Sequence, residues 1–453
     1  MRVTVVGLGY VGLVTATCLA RLGQHVVGLE TDAAKMSMLR SGAVPYYEPH
    51  LDSEVAAQRA SDRLSFTDDA AQAVNGADVI MVCVGTPSEA SGRANLQYVL
   101  QVADTLGEYL TGRPVVALRS TVPVGTTVRV EATLNAVLRR RGYPGTVPVL
   151  ANPEFLRTGR AIEDFLRPTR VVVGRTELAI TADIDVLTAL YAPLEAPILV
   201  MDASSAELVK NAANAFLAMK VSFANELAGL CEAAGASVDE VVQGMAYDPR
   251  IGGEFLRPGI GYGGSCLPKD VRSVISMGSD HGQQMPLLHA VDQVNQDQPA
   301  HVADRLAAAL DGSLHGKRVA VLGLAFKPDT DDIRDSPALA FARVLRERGA
   351  NVVGCDPQAS ARVAAQEPWL ELAPDPLSAA SGADAVVLAT EWPAYVTVEP
   401  NALSNVMPGR VFVDARNAMD AERLRTAGFT YVGVGRRSRQ HTALFARVVA
   451  ERP

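Results

Sequence analysis

A strand-like run, Arg2–Val6, leads at once into Gly7-Leu8-Gly9-Tyr10-Val11-Gly12, and a helical pattern follows from Val11 to Leu22. A second strand-like run, His25–Leu29, then ends at Glu30. This order constrains the fold more than any other feature of the chain, because it describes a β-α-β unit. Gly7 permits the tight turn, Gly9 permits close approach of a ligand, and Gly12 lets the helix pack against the sheet. A helix that opens at such a turn offers free amides to phosphates. An acid at the end of the second strand accepts hydrogen bonds from ribose hydroxyls. The stretch therefore reads as a dinucleotide-binding Rossmann unit, with Gly7, Gly9, Tyr10, Val11, Gly12 and Glu30 at the cofactor. Glu30 repels a 2′-phosphate, which favours NAD over NADP, and Lys35 nearby moderates that preference.

Further strands are expected at Asp78–Val84, Val115–Arg119, Val147–Leu150 and Val171–Val173, with helical stretches between them. The alternation predicts a doubly wound parallel sheet. Ligands bind at the carboxyl ends of such strands. Those ends carry Val84-Gly85-Thr86-Pro87, Ser120-Thr121-Val122-Pro123 and Asn152-Pro153-Glu154-Phe155. Thr86 and Thr121 suit the cofactor's edge, although ordinary turn chemistry also selects such residues. Glu154 is a carboxylate at the top of the sheet. It reads as a general base or a holder of water, with helix capping as the alternative.

Ser204 to Ala234 lacks Gly and Pro until Gly229 and is rich in Ala, Leu, Phe and Met, which predicts one long helix. Glu207, Lys210 and Asn214 fall at i, i+3 and i+7, on one face. Lys210 and Asn214 can donate to an oxygen that becomes negative during reaction. A solvated surface stripe is the competing reading, and an apolar helix of this kind is also a candidate dimer seam. Beyond it, Arg250 and Arg257 are candidate phosphate or carboxylate ligands.

Gly261-Tyr262-Gly263-Gly264-Ser265-Cys266-Leu267-Pro268-Lys269-Asp270 combines a glycine-rich approach with a thiol where a helix can begin. A helix N-terminus and a neighbouring cation such as Lys269 favour the thiolate. Asp270 can share a helical face with Cys266. Thiol, cation and carboxylate together suggest covalent catalysis. An inert buried cysteine in a glycine-rich loop is the plain alternative.

A third α/β unit is expected after the Asp311–Lys317 linker, with strands at Arg318–Leu322, Asn351–Gly354, Ala385–Leu388 and Val411–Val413. Its turn, Gly323-Leu324-Ala325-Phe326-Lys327, lacks the second and third glycines, so it is not read as another dinucleotide site. Lys327, Arg334 and Arg416 gather at its strand ends, where a phosphorylated ligand would sit. Two α/β domains with a cysteine loop between them describe a two-sided cleft.

The 453 residues suit about three domains: 1–200, a helical region 201–300, and 315–453. A net charge of −8 argues against nucleic acid as the main partner. The five cysteines are scattered, and none has metal-ligand spacing, which fits free thiols in a reducing cytoplasm and no bound metal. No apolar run is long enough to span a bilayer, and no signal peptide precedes the first strand.

With these motifs in this order, nearly the whole chain resembles the UDP-glucose/GDP-mannose dehydrogenase family of nucleotide-sugar dehydrogenases. The most specific pieces are Asn152–Leu156, Glu207–Glu226, Gly261–Asp270 and Gly323–Pro337. The resemblance implies an N-terminal NAD domain, a C-terminal nucleotide-sugar domain and a connecting helix that forms a homodimer. It implies oxidation of a sugar's primary alcohol to a carboxylate, with NAD used twice. Cys266 is then the nucleophile, Glu154 and Asp270 take acid/base or water-positioning roles, and Lys210 and Asn214 stabilise an oxyanion. Thr121 would hold a catalytic water. Arg250 would reach a substrate across the dimer interface, while Arg257, Tyr262 and Lys327 would line the substrate site and Arg334 would contact the cofactor. Phe155, Leu156, Arg157, Gly263 and Arg416 are counted with the substrate contacts.

Two positions depart from the family's pattern. Thr158 stands where the family often has an acid, in a pattern like FLREG, and His50 stands where many members have Gly. The leading expectation is UDP-glucose oxidised to UDP-glucuronate. A GDP-mannose or UDP-N-acetylmannosamine dehydrogenase, a two-electron hydroxyacid dehydrogenase and a non-catalytic NAD-dependent sensor are the alternatives.

Overall fold

The structure is a computed structural model and describes residues 1–89 and 91–436. It divides into two compact units, Met1–Ala213 with Arg272–Gln284, and Asn214–Val271 with Met285 onward.

The first unit carries strands β1 (Arg2–Val6), β2 (His25–Leu29), β3 (Leu64–Thr67), β4 (Val79–Val82), β5 (Val115–Leu118), β6 (Val149–Ala151), β7 (Val171–Arg175) and β8 (Ile198–Asp202), in the order β3-β2-β1-β4-β5-β6-β7-β8. Every residue of β4 and β5 is buried, because helices cover both faces. Val79 and Met81 join the core formed with Leu13, Val14 and Leu51, while Ile80 and Val82 join Val99, Leu106 and Leu134 on the other side. Pairing is parallel from β3 through β6, but β7 runs antiparallel to β6, with Ala151 opposite Gly174, and β8 follows β7 in parallel. The chain after β6 stays at the ligand edge through Asn152–Arg170, so β7 starts at that edge and runs back. Its first neighbour, Arg170, thereby lies beside the carboxyl end of β6. The sequence reading missed β3 and β8 and the reversal of β7.

The second unit carries β9 (Arg318–Leu322), β10 (Asn351–Cys355), β11 (Glu371–Leu372), β12 (Ala385–Leu388), β13 (Val411–Asp414) and β14 (Thr430–Gly433), all parallel, in the order β11-β10-β9-β12-β13-β14. This is the order of the first six strands of the other sheet. The local bonding repeats as well. Gly7 N donates to Leu29 O, and Gly323 N to Cys355 O, both at 2.8 Å. Leu8 N donates to Glu30 at 3.0 Å, and Leu324 N to Asp356 at 2.8 Å. Asp356, however, also receives Ala325 N, Gln358 N and Ala359 N, so four backbone amides occupy its carboxylate.

The expected long helix is Ala203–Ala234. Asp202 caps it, accepting from Ser205 N at 2.8 Å. The boundary between the units falls inside this helix, after Ala213. Among the described residues, no helix is long and apolar enough to cross a membrane, and no cluster of His, Cys, Asp and Glu could hold a metal ion.

Candidate active site

In the first unit the glycine turn is shaped to receive a dinucleotide. Gly7 has φ +86°, and a Cβ on Gly12 would lie 1.9 Å from Gly7 O. A Cβ on Gly9 or on Gly85 would meet nothing within 4 Å, so the space above the turn is open. No side chain caps the Tyr10–Arg21 helix that begins there, which leaves its first amides for a ligand. The residues present therefore fit the cofactor. Glu30 accepts hydrogen bonds from Leu8 N, Thr31 N and Asp32 N, and its Oε2 lies 3.8 Å from Lys35 Nζ.

Tyr10 points away from the turn toward Glu48, to which its phenol donates. Glu48 also accepts from Gly159 N at 2.6 Å and Ala161 N at 2.7 Å. Burial, then the bond to Glu48, holds the Tyr10 phenol well above its ordinary range, while a bond from Thr158 opposes this. Thr158 thus joins a cluster that ties the Phe155–Gly159 segment to the cofactor turn. His50, two residues past Glu48, has φ +67°, which explains a preference for glycine there.

The hydroxyl turns are laced together. Thr86 Oγ1 donates to Thr121 O at 2.7 Å, and Ser120 Oγ to Val84 O at 2.6 Å. A cavity of about 10 Å³, room for one water, is lined by Ser120, Thr121, Pro153, Glu207 and Lys210 among others. Glu154, next in sequence to Pro153, is nearly closed to solvent, with Oε1 3.2 Å from Lys210 Nζ and Oε2 accepting from Leu156 N at 2.5 Å. The Arg170 guanidinium stacks 3.7 Å from the centre of the Phe155 ring, and Lys210 Nζ lies 5.4 Å from it. Arg157 turns its fork to Asp164, at 2.9 and 2.7 Å.

Glu207, Lys210 and Asn214 are all buried, so the stripe is not a solvated face. Glu207 nevertheless does other work than Lys210. It accepts from Gly125 N at 2.7 Å and from Thr127 N and Oγ1, both at 2.6 Å. It thereby caps the Thr126–Arg140 helix, whose own N-cap residue, Gly125, has no side chain to do so. One turn on, Asn211 donates to Val122 O at 2.9 Å. Burial raises the Glu207 carboxyl above its usual range, although these hydrogen bonds oppose the shift.

In the second unit Cys266 stands immediately before the Leu267–Asp280 helix, and its carbonyl accepts from Asp270 N at 2.8 Å. It occupies the N-cap position, at the positive end of the helix. Ser265 Oγ lies 3.7 Å from Sγ. The thiol is partly exposed, whereas the other four cysteines are buried, and burial pushes Cys18 and Cys83 up to about 12. Asp270 is clamped from two sides, by Asn214 Nδ2 at 2.6 Å and by the Lys269 ammonium. Lys269, read as a partner for the thiolate, thus pairs with this carboxylate.

The glycines of this loop are required by contacts. A Cβ on Gly263 would lie 2.2 Å from Asp335 O, and one on Gly264 would enter the Phe326 ring. Both backbone groups of Tyr262 bond to the Asn295 amide, at 2.8 and 3.0 Å. Arg416 donates to the carbonyls of Ala389, Gly261 and Phe326, at 2.8, 3.2 and 3.0 Å, and so braces three loops. Arg334 turns to Asp332 at 2.8 and 2.6 Å, and Arg250, which is 87% exposed, turns to Asp248. Arg257 is exposed, and Lys327 is half-buried with Nζ 5.7 Å from the Phe326 ring.

The sequence reading gave no role to Glu48, to Arg119 or to the capping by Glu207. The signal available was type: each is a charged residue within an otherwise apolar stretch that must bury it.

Residues 1–195, 204–297 and 320–421 match, respectively, the NAD binding, central and UDP binding domains of the UDP-glucose/GDP-mannose dehydrogenase family. The chain is 42% identical over 440 residues to the UDP-glucose 6-dehydrogenase of Rhizobium meliloti, covering 96% of this chain and 100% of that one. It is also 42% identical to the Pseudomonas aeruginosa UDP-glucose 6-dehydrogenase, covering 96% and 98%. The structure of a UDP-glucose dehydrogenase from Pyrobaculum islandicum superposes with a TM-score of 0.86 at 37% identity, over 96% of this chain and 98% of that one. The chain belongs to the UDP-glucose/GDP-mannose dehydrogenase family and is an NAD-dependent dehydrogenase that takes a nucleotide sugar.

Proposed function

We propose that the chain oxidises UDP-glucose to UDP-glucuronate in two steps that each deliver a hydride to NAD. The observation that carries this reading is the partly exposed Cys266 at a helix N-terminus, beside a clamped Asp270. A two-electron alcohol dehydrogenase has no use for a nucleophile so placed. NAD held at the glycine turn, by Gly7, Gly9, Gly12 and Glu30, would supply the hydride acceptor for both steps. In the first step the alcohol's C–H pair leaves as hydride and its hydroxyl proton passes to a base, giving the aldehyde. The Cys266 thiolate then bonds to the aldehyde carbon, and the carbonyl pair moves to oxygen. Lys210 and Asn214 donate to that oxyanion. Loss of the second hydride restores the carbonyl as a thioester. Water held by Thr121 and activated near Glu154 or Asp270 adds, the Cys266 thiolate leaves, and the carboxylate is released.

On this reading, residues 1–200 carry the cofactor, with Thr86, Lys35 and Arg334 among its contacts. Residues 315–453 carry the UDP-sugar, although 437–453 lie outside the described residues. Phe155, Leu156, Arg157, Arg250, Arg257, Tyr262, Gly263, Lys327 and Arg416 serve the substrate. Residues 201–300 form a homodimer through the long helix, and the enzyme works in the cytoplasm. The test is the NADH released per UDP-glucose consumed under excess NAD. Two, with UDP-glucuronate as product, is expected. One would stop the reaction at the aldehyde and remove the role given to Cys266. Activity confined to GDP-mannose or UDP-N-acetylmannosamine would overturn the substrate.

A further inference from the structure

Arg119 follows β5 directly and is 5% exposed. Its guanidinium donates to Thr15 Oγ1 at 3.1 Å, to Asn152 Oδ1 at 3.2 Å and to Tyr191 OH at 3.2 Å, and lies 5.4 Å from the centre of the Phe165 ring. Every one of these partners is neutral. Among the described residues no carboxylate lies within ion-pair distance of it. A guanidinium buried among neutral dipoles is costly, because a buried charge ordinarily requires an opposite one. The surroundings place this charge at the cofactor end of the sheet. Thr15 belongs to the helix that opens at the glycine turn. Arg119 and the Glu154 carboxylate, itself paired with Lys210, both act electrostatically on Cys83, and a Cβ on Gly12 of the glycine turn would lie 3.1 Å from Cys83 Cβ. Asn152 opens the turn that bears Glu154, and Ser120-Thr121 follow Arg119 itself.

We infer that Arg119 is an electrostatic element of the cofactor site, whose charge, with no carboxylate in contact, disfavours the cationic, oxidised nicotinamide relative to the neutral, reduced one. The direction suits the reaction. When the alcohol's C–H bond breaks and its electron pair moves to the nicotinamide as hydride, the ring loses its positive charge. A fixed cation nearby makes that transfer more favourable, and it does so in a low-dielectric interior where a charge acts strongly. The inference rests on the NAD assignment and not on the identity of the sugar.

The test reads cofactor affinities alone, so it stands apart from any failure of the UDP-glucose reading. NADH binding is followed by fluorescence titration and NAD⁺ by competition, in the wild type, Arg119→Lys, Arg119→Gln and Asn152→Asp. R119Q removes the charge while keeping amide donors for Asn152 and Tyr191. N152D leaves the arginine in place and sets a carboxylate against it. Both are expected to lower the ratio Kd(NAD⁺)/Kd(NADH) about tenfold, whereas R119K keeps the ratio of the wild type. If R119Q does not fold, N152D still decides. A ratio within about twofold of wild type in the neutralised variants would overturn the inference. So would an R119K ratio that moves as far as that of R119Q, because the arginine would then only hold Asn152 in place.

Discussion

Lys210 Nζ lies 3.2 Å from Glu154 Oε1, and the two side chains are only 3% and 5% exposed. Lys210 is the counter-charge of Glu154, and its removal leaves that carboxylate buried without an opposite charge. Lys210→Met is expected to lower unfolding stability by about 3–5 kcal/mol. The double variant with Glu154→Gln should regain much of that loss, because it leaves no lone charge. Turnover should behave differently. If Lys210 stabilises an oxyanion, its removal costs about 10²–10³ in kcat, and the double variant does not regain it. Denaturant midpoints and kcat measured on the same three proteins separate the two effects. Recovery of turnover along with stability would make the pair structural only.

The thiol is the sharpest test of the chemistry. Cys266→Ser sets a hydroxyl at the N-cap and keeps the loop's shape but removes the thiolate nucleophile. Formation of the acid should fall by about 10³ or more, while binding of NAD and UDP-glucose stays close to wild type. Product analysis by mass, alongside NADH release, checks this. Undiminished UDP-glucuronate from C266S would exclude the thioester.

How far these features were legible from the residues differs by kind. The glycine turn, Glu30 and the long helix could be read because local backbone demands fix them: Gly12 has no room for a Cβ, and Ala203–Ala234 holds few helix breakers. The boundaries of β1, β2, β9 and β12 followed from continuous apolar runs. The direction of β7 did not, since a strand buried on both faces looks alike in either sense. Nor did the partners of long side chains. Residue type does not announce that Arg416 donates to three carbonyls or that Lys269 pairs with Asp270. Helical spacing correctly grouped Glu207 with Lys210, but it could not say that a second helix end, lacking a cap of its own, would claim the carboxylate.

The αL conformation of His50 carries a cost for a residue with a Cβ, about 1–2 kcal/mol, which glycine avoids. Glycine's greater freedom in the unfolded chain offsets about 0.5–1 kcal/mol of the gain. His50→Gly should therefore stabilise the protein by about 0.5–1 kcal/mol, read as a higher urea midpoint at an unchanged slope. A lower midpoint would mean that the imidazole makes contacts worth more than the strain.

Glu207 links stability to pH. Burial raises its carboxyl in the folded protein, so the folded state holds that proton more tightly than the unfolded one. Its contribution is fully present below the ordinary glutamate range and is lost as pH rises through the higher folded value. Glu207→Gln cannot ionise and lacks this dependence. Unfolding midpoints of the two proteins, compared upward from about pH 4, should shift steadily in favour of the variant as pH rises. A shift the other way would mean that the amides of Gly125 and Thr127 outweigh burial.

Phe216, Phe223 and Leu230 are 58, 44 and 63% exposed, and they recur every seven residues along the long helix. Seven residues make nearly two turns, so the three side chains stand in one row. Large apolar side chains recurring at this spacing on an exposed face are the pattern of a helix that pairs with a copy of itself, since a two-fold axis brings the same row to both sides. Phe223 is the middle of the three. Phe223→Asp would set a charge, and its symmetry mate, at the centre of that seam. The expected result is a dimer for the wild type and a monomer for F223D in sedimentation equilibrium at micromolar concentration, with helical circular dichroism retained. A wild-type monomer, or an F223D dimer of unchanged affinity, would move the seam away from this helix.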